Sequence, residues 1–213
     1  MIHDRMVERI EKRDDDMNEE MKWEKLLNIH TTGRDATNAN PYYYAYEPTP
    51  YEVLERLAKS GYIDSKSVLL DYGCGKGRVE FMLAYLTKAR CIGIEYDNRI
   101  YQKALENKQQ SPVSGRVGFV EANAKFFPVP TEVNSCYFFN PFSVELLRNV
   151  MTRIKESFYM SPRRIQLFFY YPSDEYIAYL MSVEEIEFLD EIDCRDLCKG
   201  TDAREKIMIF EFK

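Results

Sequence analysis

From residue 49 onward the chain alternates between two apolar patterns. Short runs rich in β-branched and aromatic residues occur at Val68-Leu69-Leu70, Cys91-Ile92-Gly93-Ile94, Val117-Gly118-Phe119-Val120, Cys136-Tyr137-Phe138-Phe139 and, over residues 165–171, from Ile165 to Tyr171. Their length and unbroken apolar character predict strands buried on both faces. Between them apolar residues recur at spacings of three and four: Val79, Met82, Leu83 and Leu86; Ile100, Tyr101, Ala104 and Leu105; Leu147, Val150 or Met151, Ile154 and Phe158. Strand and helix in strict alternation predict a doubly wound α/β sheet. The chain then changes habit, with two strands at 187–192 and 206–212 joined only by a loop that turns near Lys199-Gly200.

Helix boundaries are marked by polar residues. Thr49, Pro50 and Glu52 stand at the spacing of a capping box with proline at the first helical position, ahead of the stripe Val53, Leu54, Leu57 and Ala58, which Gly61 ends. Asp97, Ser143 and Ser173 precede three further helices, the last running to Leu180 after Pro172 stops the fifth strand. Upstream of Thr49 the pattern is different. Residues 1–28 carry nine acidic and six basic residues around Met6, Val7, Ile10, Met17, Met21, Leu26 and Leu27, which predicts one kinked or two short amphipathic helices. Residues 31–50 lack periodicity and hold Tyr42, Tyr43, Tyr44 and Tyr46 among turn formers. The reading is therefore an N-terminal helical segment and aromatic loop at 1–48, serving as core packing, a lid or a homodimer arm, followed by one domain at 49–213.

The stretch that carries chemistry is Val68-Leu69-Leu70-Asp71-Tyr72-Gly73-Cys74-Gly75-Lys76-Gly77-Arg78. A strand stops at a carboxylate, three glycines follow at alternate positions, and a helix begins. Glycines there let the backbone turn tightly and let a ligand lie against its N–H groups. A dinucleotide fingerprint would place its third glycine where Arg78 stands. Glu95, at the tip of the second strand and 22 residues beyond Gly73, is placed to accept from ribose hydroxyls.

Asp71-x-Gly73-x-Gly75-x-Gly77 together with Glu95 resembles the first two motifs of the seven-stranded class I S-adenosylmethionine-dependent methyltransferases. That resemblance, covering 49 to the C-terminus, implies a mostly parallel seven-stranded sheet of order 3-2-1-4-5-7-6 with a reversed last strand. It implies S-adenosyl-L-methionine as cofactor, with Asp71, Gly73, Cys74, Gly75 and Gly77 against its methionine end, Glu95 and Tyr96 at the ribose, and Asn123 and Ala124 near the adenine. Thr49, just ahead of the first core helix, is implied to close over the methionine portion. Asn140-Pro141-Phe142 after the fourth strand is similar to the Asn-Pro-Pro-aromatic signature of amino-methylating branches, one proline short, and gives Asn140, Pro141 and Phe142 as catalytic candidates or as a plain turn. Tyr46-Glu47-Pro48-Thr49 resembles a Tyr-x-Pro-Ser/Thr segment of small protein-lysine methyltransferases, which lack an Asn-Pro-Phe. The implied activity is methylation of a nitrogen on a protein side chain or small molecule, and the alternative is a non-catalytic cofactor-binding module. Methyl transfer from a sulfonium needs positioning more than acid/base chemistry; Glu47, Tyr170 and Tyr171 are the available bases.

Composition narrows the partners. A net charge of −6 and pI near 5.2 argue against a nucleic-acid partner, whose phosphates are bound by basic side chains. Five scattered cysteines, Cys74, Cys91, Cys136, Cys194 and Cys198, suit a reducing compartment, and with the charge-rich first thirty residues they give the expectation of a cytoplasmic protein. The histidines, His3 and His30, lie far from Cys194 and Cys198, so no zinc site is expected. No apolar run is long enough to span a bilayer.

Overall fold

The computed structural model describes residues 19–197 and 202–213. The helix expected over residues 1–18, Cys198 and the turn at Lys199-Gly200 lie outside them. Among the described residues the elements run α1 (19–27), α2 (Tyr51–Lys59), β1 (Val68–Tyr72), α3 (Arg78–Thr87), β2 (Arg90–Glu95), α4 (Asn98–Gln110), β3 (Val117–Glu121), β4 (Ser135–Phe139), α5 (Val144–Met160), β5 (Gln166–Tyr170), α6 (Asp174–Leu180), β6 (Ile186–Asp193) and β7 (Lys206–Phe212). The strands form one sheet in the order β3-β2-β1-β4-β5-β7-β6, parallel from β3 to β5, with β7 antiparallel to both neighbours. This is the expected architecture, strand for strand. No helix among the described residues is long and apolar enough to cross a membrane.

The pleat sends alternate side chains into two cores. Leu70, Tyr72, Cys136, Phe138, Leu167, Phe169, Met208 and Phe210 face α5 and α6. Leu69, Tyr137, Phe168, Tyr170, Ile207 and Ile209 face α2 and α3. On the first face Tyr72, Phe138 and Phe169 stack across three neighbouring strands at centroid distances of 4.8 and 4.5 Å, with Tyr176 and Phe210 edge-on to Phe169. Burying each such ring stabilises by roughly 1.5–3 kcal/mol, and the stack fixes the C-terminal ends of β1, β4 and β5 relative to one another. Asp71 points to the other face, under α3.

Two boundaries depart from the sequence reading. β1 continues past Asp71 through Tyr72, whose ring is needed in the stack. α2 begins at Tyr51 with Pro50 at its cap and no side-chain cap bond. The capping box does not form: the Thr49 hydroxyl pairs instead with that of Tyr137 at 3.2 Å, and its carbonyl accepts from Arg78 at 3.3 Å. A tertiary contact from the middle of the sheet outcompetes the local bond. The caps at Asp97, Ser143 and Ser173 are present, each accepting a backbone N–H of the first helical turn.

α1 and the irregular segment 28–50 wrap around α2, α3 and the glycine loop. Trp23 stacks on Tyr51 and meets Tyr85 edge-on. At the far margin of the sheet β6 is solvent-exposed along most of its length, pairs only with β7, and carries an irregularity between Phe188 and Asp190.

Candidate cofactor and acceptor site

The C-terminal ends of β1, β2, β3 and β4 open on a cleft of about 970 Å3, its mouth included, roofed by the 28–50 segment. Ligands of open α/β sheets bind at this end, where the strand order reverses between β1 and β4. Asp71, Gly73, Cys74, Glu95, Tyr96, Ala124 and Thr49 all line it, as do Pro141 and Phe142. Three of the expected cofactor residues do not. The Tyr46 ring covers Gly75, Gly77 packs between Phe119 and Phe81 where α3 starts, and Asn123 turns its amide oxygen to the Lys125 N–H at 3.0 Å.

Three backbone N–H groups tie the loop to β2. Gly73 and Cys74 donate to the Ile94 carbonyl at 2.9 and 3.0 Å, and Gly75 donates to Glu95 Oε2 at 3.0 Å. Gly75 has φ +59°, and a Cβ there would collide with the Tyr46 ring. Gly73 has φ +78°, and its Cβ would stand 2.7 Å from Pro141, so the glycine loop and the turn after β4 touch directly. That close approach is what the sequence pattern had no means of showing.

Glu95 is a hub. Its Oε1 accepts the N–H groups of Tyr96 and Asp97, each at 2.8 Å, and its Oε2 that of Gly75. A carboxylate has about four acceptor positions, so three are committed to the protein and one remains toward the cleft. Burial raises the Glu95 pKa and the three N–H bonds oppose that rise. Glu95→Ala is expected to weaken a ribose-bearing ligand by about 1.5–3 kcal/mol, the worth of a charged hydrogen bond, and to loosen the loop as well. Calorimetry with S-adenosylhomocysteine reads the affinity, and an unchanged dissociation constant would remove Glu95 from the ribose.

Behind the loop lies a pair that the sequence reading missed. Asp71 is 3% exposed and Glu80, on the first turn of α3, is fully buried. Neither Glu80 oxygen has a hydrogen-bond partner among the described residues, and the charge of Asp71 acts on it. Two buried acids so placed favour holding a proton between them, because a second charge there has neither solvent nor a donor to stabilise it. Burial pushes the Asp71 pKa up to about 8, with the charge of Glu95 adding to the rise; burial and then the charge of Asp71 raise that of Glu80. The native state thus keeps protons that the unfolded chain releases near pH 4, and its stability falls as pH rises from about 4 to about 8. Glu80→Gln keeps the donor and removes the titration. Urea denaturation at pH 5 and pH 8 should show a smaller loss in the variant than in the wild type, and equal losses would dissolve the shared proton.

Arg78 ties the loop to α1. It is 4% exposed, its Nε donates to the Thr31 hydroxyl at 2.7 Å, its Nη2 meets Glu20 at 2.5 Å and Glu24 at 3.5 Å, and its guanidinium lies 4.3 Å from the Tyr51 ring centroid. Glu24 in turn accepts from the Thr31 N–H, the Thr31 hydroxyl and the Tyr51 hydroxyl, and Tyr46 donates to the Thr31 carbonyl. Nearer the mouth Tyr43 stacks on Tyr96 at 4.6 Å and 10°. The roof is fastened at several further places, among them His30 to Asn107, Asn38 to Asp97 and Tyr44 to the Pro141 carbonyl. A lid was among the readings of this segment, and the contacts that hold it were not.

The catalytic candidates separate. Phe142 is 2% exposed, edge-on to Phe138, with its carbonyl taken by the Tyr176 hydroxyl at 2.6 Å, and the Pro141 carbonyl accepts from the Tyr44 N–H at 3.1 Å. Asn140, at φ +41°, does not line the cleft but a second cavity beside it. Among the described residues no three His, Cys, Asp or Glu side chains gather as a metal site.

Comparisons agree with this geometry. Residues 63–155 match the family described as Methyltransferase domain. A protein-lysine N-methyltransferase of Saccharolobus islandicus (strain REY15A) is 31% identical over 85 residues, which is 39% of this chain and 52% of that one. The chain thus spans about half the length of the curated relative it matches. The glycopeptide N-methyltransferase MtfA, solved with sinefungin, superposes with a TM-score of 0.60 at 9% identity over 83% of this chain and 90% of that one. TYW2 of P. horikoshii, solved with MeSAdo, gives 0.55 at 16% identity over 78% and 65%. At such identities these two likenesses speak for the fold. Residues 63–155 are thus similar to a methyltransferase domain, and they sit in a seven-stranded sheet of the fold that these solved structures share.

Proposed function

We propose that the protein binds S-adenosyl-L-methionine in the cleft and transfers its methyl group to a nitrogen, on a lysine side chain or a small amine. The observation that carries the reading is the meeting of the glycine loop, Asp71 and Glu95 with the turn after β4 at one end of the sheet. The residues fit the cofactor. Asp71 offers a buried acceptor lacking a cationic partner, suited to an amino group; Glu95 keeps one acceptor position; Tyr96, Ile100, Ala122 and Ala124 supply an apolar wall for a base. When bound, the cofactor supplies an activated methyl on a sulfonium.

The chain's own task is alignment. Asn140 stands at the end of β4, next to the glycine-loop strand, and its Oδ1 is buried without a donor among the described residues. An acceptor N–H directed to that oxygen is oriented by it, and holding the reacting atoms in line supplies much of the rate. The nitrogen relative and the Tyr46-Glu47-Pro48-Thr49 resemblance support an amine acceptor.

Asn140→Ala should leave S-adenosylhomocysteine affinity within twofold and lower kcat by roughly tenfold to a hundredfold, the loss of one orienting hydrogen bond. Transfer of labelled methyl from S-adenosylmethionine to lysine-containing protein, compared in wild type and variant, checks it. No transfer with intact cofactor binding favours the non-catalytic module instead.

A further inference from the structure

Beneath the glycine loop, on the face of the sheet that meets α3, two acids are packed together. Asp71 of β1 pairs in register with Gly93 of β2 on one side and Tyr137 of β4 on the other. A Cβ at Gly93 would collide with Glu80 Oε1 and with the Cys74 side chain, so the bare strand backbone there is what makes room for the Glu80 carboxyl. Glu80 thus comes to lie over the strand beside Asp71. Both are out of solvent, and neither oxygen of Glu80 has a partner among the described residues. Asp71 lines the cleft and Glu80 is not among its walls.

The groups packed around the pair give it no countercharge. β2 brings Glu95 and Cys91, the loop brings Cys74, and β4 brings Tyr137, whose hydroxyl pairs with that of Thr49 under the roof. None of these is a cation. Arg78, two residues ahead of Glu80 on α3, directs its guanidinium to Thr31, Glu20 and Glu24. The N–H end of α3 favours a charge on Glu80, by less than burial disfavours it. A carboxylate in such a place is costly to keep ionised, and two are costlier. Burial accordingly pushes the Asp71 pKa up to about 8 and raises that of Glu80.

We propose that the cleft exchanges a proton for a cation: empty, it holds Asp71 and Glu80 both protonated, and Asp71 ionises when a ligand's ammonium docks on it. This rests on the reading that the cofactor's amino group meets Asp71. The Asp71 O–H bond breaks, its electron pair stays on the carboxylate and the proton leaves to solvent. Glu80, behind the cleft wall, keeps its proton and offers it to the new carboxylate, which makes it a positioning residue acting through Asp71. Because binding releases a proton, affinity rises with pH for as long as the empty Asp71 is protonated. A ligand that lacks the ammonium exchanges nothing.

The test is calorimetry of the full chain at pH 6.5 with S-adenosylhomocysteine and with methylthioadenosine, which has the nucleoside and thioether and no amino-acid arm, each in phosphate and in imidazole buffer. The heat of S-adenosylhomocysteine binding should differ between buffers by about one proton released, and that of methylthioadenosine should not. From roughly pH 5.5 to pH 7, where the ligand's ammonium stays charged, S-adenosylhomocysteine affinity should rise by up to about tenfold per unit. Asp71→Asn should abolish the buffer difference. Glu80→Gln, which keeps a donor, should retain affinity and exchange, whereas Glu80→Leu should weaken S-adenosylhomocysteine by roughly threefold or more and leave methylthioadenosine unchanged. Equal weakening of both ligands in Glu80→Leu would make Glu80 a structural residue only. The wild-type measurement does not depend on how that variant folds: S-adenosylhomocysteine binding with no buffer difference, or the same difference with methylthioadenosine, overturns the exchange and leaves the cofactor reading standing. Failure of both ligands to bind removes the cofactor reading, and the exchange with it.

Discussion

Arg78→Met is expected to destabilise the protein by about 3–5 kcal/mol, because it leaves the buried Glu24 carboxylate without its cation. Met fills much of the volume of the arginine stem, so the loss would be electrostatic more than a cavity effect. Glu24 would keep its bonds from Thr31 and Tyr51, which satisfy the oxygens and leave the charge unanswered. For a chain of this size each kcal/mol moves the melting temperature by roughly 2–4 °C, so a fall of about 6–20 °C should be seen. The double variant Arg78→Met with Glu24→Gln should recover most of that fall, since the orphaned charge is gone. A double variant no better than the single one would mean that arginine acts through packing on Tyr51.

The second large effect is at the glycine loop. Gly75→Ala places a side chain at φ +59° and drives its Cβ into the Tyr46 ring. The backbone term alone costs about 1–2 kcal/mol, and moving Tyr46 breaks its bond to the Thr31 carbonyl and its contact with Lys76, whose Nζ lies 4.9 Å above the ring. Two consequences should appear together: S-adenosylhomocysteine binding weakened at least tenfold, and faster proteolysis within residues 28–50. Cleavage at the wild-type rate would show that the roof does not rest on Gly75.

Arg78 and the buried Glu80 mark the limit of what the sequence conveys. The strands, the helices and the cleft's carboxylates were legible, because each is written in a local pattern: apolar runs, three-four spacing, an acid at a strand end; the strand order came only with the family resemblance. Arg78 and Glu80 are written in no such pattern. In sequence Arg78 is merely the residue that spoils a dinucleotide fingerprint, and Glu80 a polar position on a helix; their partners are 58 and 9 residues away, Glu20 across the roof and Asp71 at the preceding strand. The same holds for Thr49. Its spacing to Glu52 describes a cap, yet Tyr137, 88 residues on, takes the hydroxyl. Asn123 and Gly77 carry family positions while their atoms serve an Asn turn and a helix entry. Local patterns report what a segment can do alone, and the site is assembled from segments that meet only after folding.

The exposed margin of the sheet bears on the protein's behaviour in concentrated solution. Among the described residues β6 has no strand on its outer side, and an open edge of that kind invites another strand to add. Here the edge carries Glu187, Asp190, Glu191 and Asp193, and its register slips between Phe188 and Asp190. Glu187, Glu191 and Asp193 are paired with Lys213, Lys206 and Arg195, so the obstacle to a continuous ladder between molecules is the slip, which spoils its flat alignment. Phe188 and Leu189, 45% and 37% exposed, are thus set on an edge too irregular to seed intermolecular sheet.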